Sequence, residues 1–148
     1  MSAPFMQGQL MKFDEDFVAS GTDYSASTVS TWITVQNNEA TDLLVLSYTP
    51  PRDGHVLIHS GVDLRHNAAD ANISLRIYNG DAAAMVGKTR SLSLPHADKT
   101  NTHEMFRYQD VTANTSYSFA LQYYQVTAGT ITIDVSQAFL YLFAFANP

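Results

Sequence analysis

Residues 117–145 read YSFALQYYQVTAGTITIDVSQAFLYLFAF, and this stretch decides the fold. Successive side chains of a β-strand point to opposite faces, so Tyr117, Phe119, Leu121 and Tyr123 share one face while Ser118, Ala120 and Gln122 share the other. Ala128-Gly129 then reverses the chain. Thr130-Ile131-Thr132-Ile133-Asp134-Val135 alternates as cleanly, with Ile131, Ile133 and Val135 turned inward. The closing run from Ala138 to Phe145 breaks the rule by being apolar on both faces, which implies cover on both sides. That second cover is either the chain's own N-terminal segment or another subunit around a symmetry axis.

Working outward from this stretch, the same period of two, or short runs of β-formers, continues back to Val29, and no segment sustains the spacing of an amphipathic helix. Strands are expected at Thr31–Gln36, Leu43–Tyr48, His55–Arg65, Ile73–Tyr78, Thr89–Leu94, His103–Val111, Ser116–Val126, Thr130–Val135 and Phe139–Phe145. Turn chemistry separates them: Pro50-Pro51-Arg52-Asp53-Gly54, Asn79-Gly80-Asp81, Pro95 with Asp98, and Thr112-Ala113-Asn114. The expectation is an all-β domain, a two-sheet antiparallel sandwich over residues 29–148. Residues 1–28 differ, with Phe5, Met6, Leu10, Met11, Phe13 and Phe17 scattered among small and polar residues without a period. They read as an extended N-terminal arm that needs a partner or the domain itself to hold it.

A chain of 148 residues fits one hydrophobic core. Only 15% of its residues are charged, below the usual roughly 25%, so neutral polar side chains cover positions where Lys and Glu would ordinarily sit. Such a surface suits a large permanent contact. The net charge of −6 opposes nucleic acid as a partner, since no basic stripe can displace counterions. With no Cys there is neither a disulfide framework nor a thiolate metal site. The N-terminal residues have neither the basic start of a secretory signal nor an apolar run long enough to span a membrane, so synthesis in a cytoplasm is expected.

Catalytic chemistry finds no foothold in the motifs. No Gly-x-Ser-x-Gly elbow and no Gly-rich phosphate loop occurs. His55 and His59 share a strand face, but four residues at about 3.3 Å each set them about 13 Å apart, too far to share an ion. Asp14-Glu15-Asp16 lacks the alternation and glycine of a calcium loop. Asp63, Asp70 and Asp81 flank loops that spacing alone does not bring together. Asn72-Ile73-Ser74 and Asn114-Thr115-Ser116 match the glycosylation pattern without a secretion signal. The expectation is a protein that is not an enzyme, with no metal and no cofactor.

From Leu43 to Phe145 the chain resembles the trimeric jelly rolls of the tumour-necrosis-factor and complement-collagen type, in the reduced form seen on bacteriophage head and tail appendages. Tyr48-Thr49-Pro50-Pro51-Arg52-Asp53-Gly54-His55-Val56-Leu57-Ile58 carries the resemblance as a Pro-rich loop, Gly and alternating strand. Tyr117 to Tyr123, Gly129 to Ile133 and the final aromatic strand complete it. The resemblance implies jelly-roll topology and a homotrimer, with Tyr117, Phe119, Tyr123, Tyr141, Phe143 and Phe145 meeting at the threefold axis. No collagen-like repeat or coiled coil stands in the arm, and a compact domain with a short sticky arm looks more like a capsid decoration protein than a fibre tip. Phe5, Met6, Leu10, Met11, Phe13 and Phe17 would then grip the major capsid protein, and the protein would reside on the capsid surface of the virion. The alternative is a receptor- or glycan-binding tip of a phage fibre, with Tyr24, Phe106 or Tyr108 stacking on a host-surface glycan.

Overall fold

The computed structural model describes residues 10–17, 23–37, 39–41 and 43–147. Ten strands follow in order: β1 (Leu10–Phe17), β2 (Tyr24–Ala26), β3 (Ile33–Thr34), β4 (Val45–Tyr48), β5 (Gly54–His66), β6 (Ala71–Asn79), β7 (Ala84–Leu94), β8 (Asn101–Val111), β9 (Tyr117–Gln125) and β10 (Ile131–Ala146). They form two five-stranded antiparallel sheets packed as a jelly-roll sandwich. The first runs β1-β10-β5-β8, with β2 also on β10; the second runs β3-β9-β6-β7, with β4 also on β9. Consecutive strands β5 and β6, or β9 and β10, lie in different sheets, so neither sheet closes without the other.

Alternation builds the core. Val56, Ile58, Val62 and Leu64 of β5 face Ile73, Leu75 and Ile77 of β6, and Phe119, Leu121 and Tyr123 of β9 complete the layer, each at most 1% exposed. Side chains of about this size, fully buried, contribute roughly 1.5–3 kcal/mol each before the entropy of ordering them is counted.

The two final strands expected from the sequence are one strand with a break in register. Asp134 pairs with Asp63, and the next register pair is Phe139 with Gly61. Six residues of β10, 134–139, therefore oppose three of β5, 61–63, and this odd surplus is a bulge that shifts the alternation. Asp134 Oδ1 holds it by accepting hydrogen bonds from Ser136 N at 3.0 Å and Ser136 Oγ at 2.6 Å. Before the bulge the odd residues Ile131, Ile133 and Val135 are buried; after it the even residues Ala138, Leu140, Leu142, Ala144 and Ala146 are. Phe139, Tyr141, Phe143 and Phe145 are thereby turned out of the core, and remain half-buried.

Two parts of the segment read as an arm belong to the first sheet. β1 pairs with β10 from Leu10↔Phe145 to Phe17↔Phe139, and β2 pairs with it from Ala26↔Ile131 to Tyr24↔Ile133. At the other edge, β7 and β8 close the sandwich through arginines. Arg90 Nη1 donates to the Glu104 carbonyl at 2.5 Å, while Arg107 Nε and Nη2 donate to the Lys88 carbonyl at 2.9 and 2.6 Å. Desolvation by this seam pulls the Arg107 guanidinium below its ordinary range, and Arg90 adds to the effect.

Candidate functional site

The outer face of the first sheet is a continuous field of aromatic rings and imidazoles. Register pairs point to the same side of a sheet, and four rows cross it. Phe145 stands beside His55 and Asp110; Phe13, Phe143, Leu57 and Tyr108 form the next row; then Glu15, Tyr141, His59 and Phe106; then Phe17, Phe139, Gly61 and Glu104.

These side chains touch. Phe13 lies 5.1 Å from Phe143 and 5.9 Å from Tyr141, and Phe17 meets Tyr141 edge-on at 5.7 Å. His59 stacks on Phe106 with ring centroids 4.1 Å apart, and meets Phe139 edge-on at 5.0 Å. His55 stacks on Phe145 at 5.3 Å and lies 5.2 Å from Tyr108. A Cβ on Gly61 would stand 2.3 Å from the Phe139 ring, so only Gly there leaves the ring its place over β5.

The described residues leave much of this face exposed. Phe13 and Phe17 are each 46% exposed, Phe106 and Tyr108 each 55%. Its acidic side chains, Glu15, Glu104 and Asp110, stand on the edge strands β1 and β8, and Glu104 Oε2 lies 3.1 Å from His59 Nε2. An apolar field bordered by polar groups is the surface signature of association.

The residues expected at a threefold contact divide between the two sides of the sandwich. Tyr141, Phe143 and Phe145 lie on the uncovered face. Tyr117, Phe119 and Tyr123 do not: they are 8%, 0% and 0% exposed, enclosed between the sheets, and their assignment to a subunit contact is corrected. Burial drives the Tyr123 hydroxyl far above its ordinary range, and Tyr24 reinforces the effect. The Tyr117 hydroxyl accepts a hydrogen bond from Thr112 N at 2.9 Å, fastening the loop that leads into β9. Phe139, His55, Leu57, His59, Phe106 and Tyr108 join the field instead; strict alternation along β5 and β8 was the signal that could have found all of them but Phe139, which the bulge in β10 sets there.

Of the residues expected to grip a shell, Phe13 and Phe17 face outward from β1, Leu10 is exposed at its start, and Met11 packs partly against the core. Phe5 and Met6 lie outside the described residues. Tyr24, Phe106 and Tyr108, expected near loops, belong to β2 and β8.

The acidic run on β1 is structural, with Asp14 3.0 Å from Lys12 Nζ and Asp16 Oδ2 accepting from Val45 N at 2.9 Å. Beyond the bulge, Asp63 and Asp134 line a small pocket with Asp23, Arg65, Thr100 and Thr132, and neither Asp70 nor Asp81 joins it. Among the described residues, no three His, Cys, Asp or Glu side chains are grouped so as to hold a metal ion.

No protein-family model and no curated protein sequence matches the chain. Solved structures match it in fold. An infectious bursal disease virus Gx strain structure aligns at 13% identity and TM-score 0.50, covering 99% of this chain and 40% of that one. The D431N VP2 protein of infectious bursal disease virus, in derived T=1 particles, aligns at 12% identity and TM-score 0.50, over 93% and 36%. The Eiger TNF of S. frugiperda aligns at 13% identity and TM-score 0.46, over 96% and 90%. The chain thus spans less than half the length of the viral chains it resembles, and the likeness establishes the jelly-roll fold.

Proposed function

We propose that this protein is a bacteriophage virion component that assembles as a homotrimer through the aromatic face of its first sheet and decorates the capsid surface. The observation that carries the reading is that uncovered field of Phe13, Phe17, Phe106, Tyr108 and the four aromatic side chains of β10. A soluble monomer gains nothing from a sheet face of this kind, whereas three copies closing around an axis would remove it from water. The low charge of the chain and the virus-derived structures that share its fold support the same reading. The function is structural: no catalytic step, metal or cofactor is invoked, and neither nucleic acid nor membrane is a partner. Synthesis is in the host cytoplasm.

With β1 built into the sheet, Phe13 and Phe17 are assigned to the subunit contact. Attachment to the major capsid protein then falls to the residues ahead of Leu10, Phe5 and Met6 among them. Deleting residues 1–28 would remove two strands, so the informative truncation is residues 1–9.

Light scattering or native mass spectrometry at micromolar concentration tests the assembly. A mass of three chains is expected, and a monomer overturns the reading. Binding to undecorated capsids with and without residues 1–9 tests the anchor; equal binding by both forms defeats it. The fibre-tip alternative relied on aromatic residues in loops. Phe106 and Tyr108 instead lie within the proposed contact, and that version loses its support.

A further inference from the structure

The opposite face of the sandwich carries a different chemistry. On the outer side of the second sheet, Arg76 of β6 is the register partner of Gln122 of β9, which is the partner of Thr34 of β3. Arg76 Nε donates to Gln122 Oε1 at 2.8 Å, and Gln122 Nε2 donates to Thr34 Oγ1 at 3.2 Å. The guanidinium carbon lies 4.1 Å from the centre of the Trp32 ring and 4.5 Å from that of Tyr78. Trp32 is itself braced by Tyr124 at 5.2 Å. All six side chains are half-buried.

This arginine is fixed in place with only part of its donor set engaged by the described residues. Its plane is held by two rings and its Nε by an amide, which leaves the Nη1–Nη2 edge. Among the described residues that edge has no hydrogen-bond acceptor, and no carboxylate lies within 4.0 Å of it. The ladder with β7 is broken here: Leu75 pairs with Arg90 and Ile77 with Val86, so Arg76 has no register partner on β7, where Gly87, Lys88 and Thr89 form a bulge. Burial pulls the guanidinium below its ordinary range, with Tyr78 opposing. A partly desolvated cation with no counter-charge among the described residues, rigid and open along one edge, is a bidentate fork waiting for a planar anion.

The surroundings favour a sugar over a peptide as the bearer of that anion. Hydroxyl and amide groups flank the fork: Thr34, Gln122, Tyr78 and Tyr124, with Ser74 paired to Ser91 alongside. They match ring hydroxyls, and this row offers neither the aliphatic anchors nor the second charge that an acidic peptide would use.

We infer that the Trp32–Arg76–Gln122 cluster is a binding site for an acidic glycan, a pyranose whose carboxylate is taken by the Arg76 Nη edge while Gln122, Thr34 and the tyrosine hydroxyls meet its hydroxyl groups. The site is on the sheet opposite the proposed subunit contact and stands whether or not the chain forms a trimer. It sits outside the aromatic field that the assembly would cover.

Titration of the full chain by ligand-observed NMR tests this with four probes: 3′-sialyllactose, trigalacturonate, lactose and hexaglutamate. One of the two acidic saccharides should bind with Kd of about 1 mM or tighter, and lactose at least about tenfold more weakly; which acidic saccharide binds separates a sialic acid from a uronic acid. Arg76→Lys keeps the charge but loses the fork and the stacking, so it should weaken binding by about tenfold or more. Phe106→Ala, on the other sheet, should leave binding unchanged. The proposal is overturned if neither acidic saccharide binds at about 10 mM, if lactose or hexaglutamate binds as well, or if Arg76→Lys, verified as folded by its thermal transition, binds like the parent chain.

Discussion

Phe13 and Phe143 are register partners on neighbouring strands, and their rings meet 5.1 Å apart on the side of the sheet that faces away from the core. The contact ties the first described strand to the last, and it leaves Phe13 46% exposed. Neither ring is needed inside the sandwich, yet the bulge in β10 sets Phe143 there in a row with Leu57 and Tyr108.

Phe143→Asp separates the two roles of that row. Within one protomer the new carboxylate can reach water, and stability should fall by about 1–2 kcal/mol. Within a closed trimer each copy would bury an unpaired charge at a cost of several kcal/mol. The expected result is a folded monomer: the parent's far-ultraviolet circular dichroism with one third of its mass in light scattering. A variant that keeps the parent's mass would place the subunit contact elsewhere.

Phe119→Ala should do the reverse. Phe119 is fully enclosed and stacks with Tyr117 at 5.9 Å, so truncation leaves a cavity between the sheets. A loss of about 3–5 kcal/mol is expected in urea unfolding, with no change in the mass of the remaining folded protein. If the variant instead lost assembly while each protomer kept its stability, Phe119 would belong to a contact surface after all.

These two residues show what the sequence carried and what it hid. The alternation of Tyr117, Phe119, Leu121 and Tyr123 correctly assigns them to one face, and the turn residues between strands mark most of the boundaries. The resemblance assigns the rings of that face to a subunit contact, but it is the face with Leu121 on it, and Ser118, Ala120 and Gln122 lie opposite. The parity change in β10 was legible only in part. Ser136 and Gln137 interrupt the apolar pattern, yet nothing in their identity says that three extra residues are absorbed without ending the strand. β1 escaped notice because LMKFDEDF puts its phenylalanines on the outer side and Asp14 and Asp16 on the inner, the inverse of a strand that packs on its own core. The Arg76 cluster draws on three strands distant in sequence, and only the register assembles it.

Gly87 and Gly80 form a matched pair for backbone effects. Gly87 has φ of +69°, and a Cβ there would stand 2.7 Å from Arg107 Cδ, in the seam between β7 and β8. Gly87→Ala should cost about 1–2 kcal/mol from the left-handed backbone alone, and more if Arg107 loses its hold on the Lys88 carbonyl. At Gly80 the nearest atoms to a Cβ are 3.7 Å away, ordinary contact, so Gly80→Ala should change stability by less than about 0.5 kcal/mol. Equal effects of the two substitutions in thermal unfolding would count against the arginine clasp as the feature that closes this edge.

The pH dependence of stability should carry the mark of His103. Its side chain enters the β7–β8 seam from β8, and its Nε2 is buried with no hydrogen-bond partner among the described residues. Burial lowers its pKa below the ordinary histidine value, Arg90 lowers it further, and Asp63 opposes them. The folded state therefore binds this proton less readily than the unfolded chain. The stabilisation is complete above the ordinary value of about 6.5 and is lost as pH falls from there through the lower folded value. Urea midpoints measured at intervals from pH 7.5 to about pH 5 should fall in the parent. His103→Gln, neutral throughout, should fall less over the same window, because only the parent must protonate a buried ring to keep pace with its unfolded state. Asp63→Asn should steepen the fall by removing the charge that opposes the shift. Parallel pH profiles for the parent and His103→Gln would mean that the imidazole is as accessible to protons in the sandwich as it is in the unfolded chain.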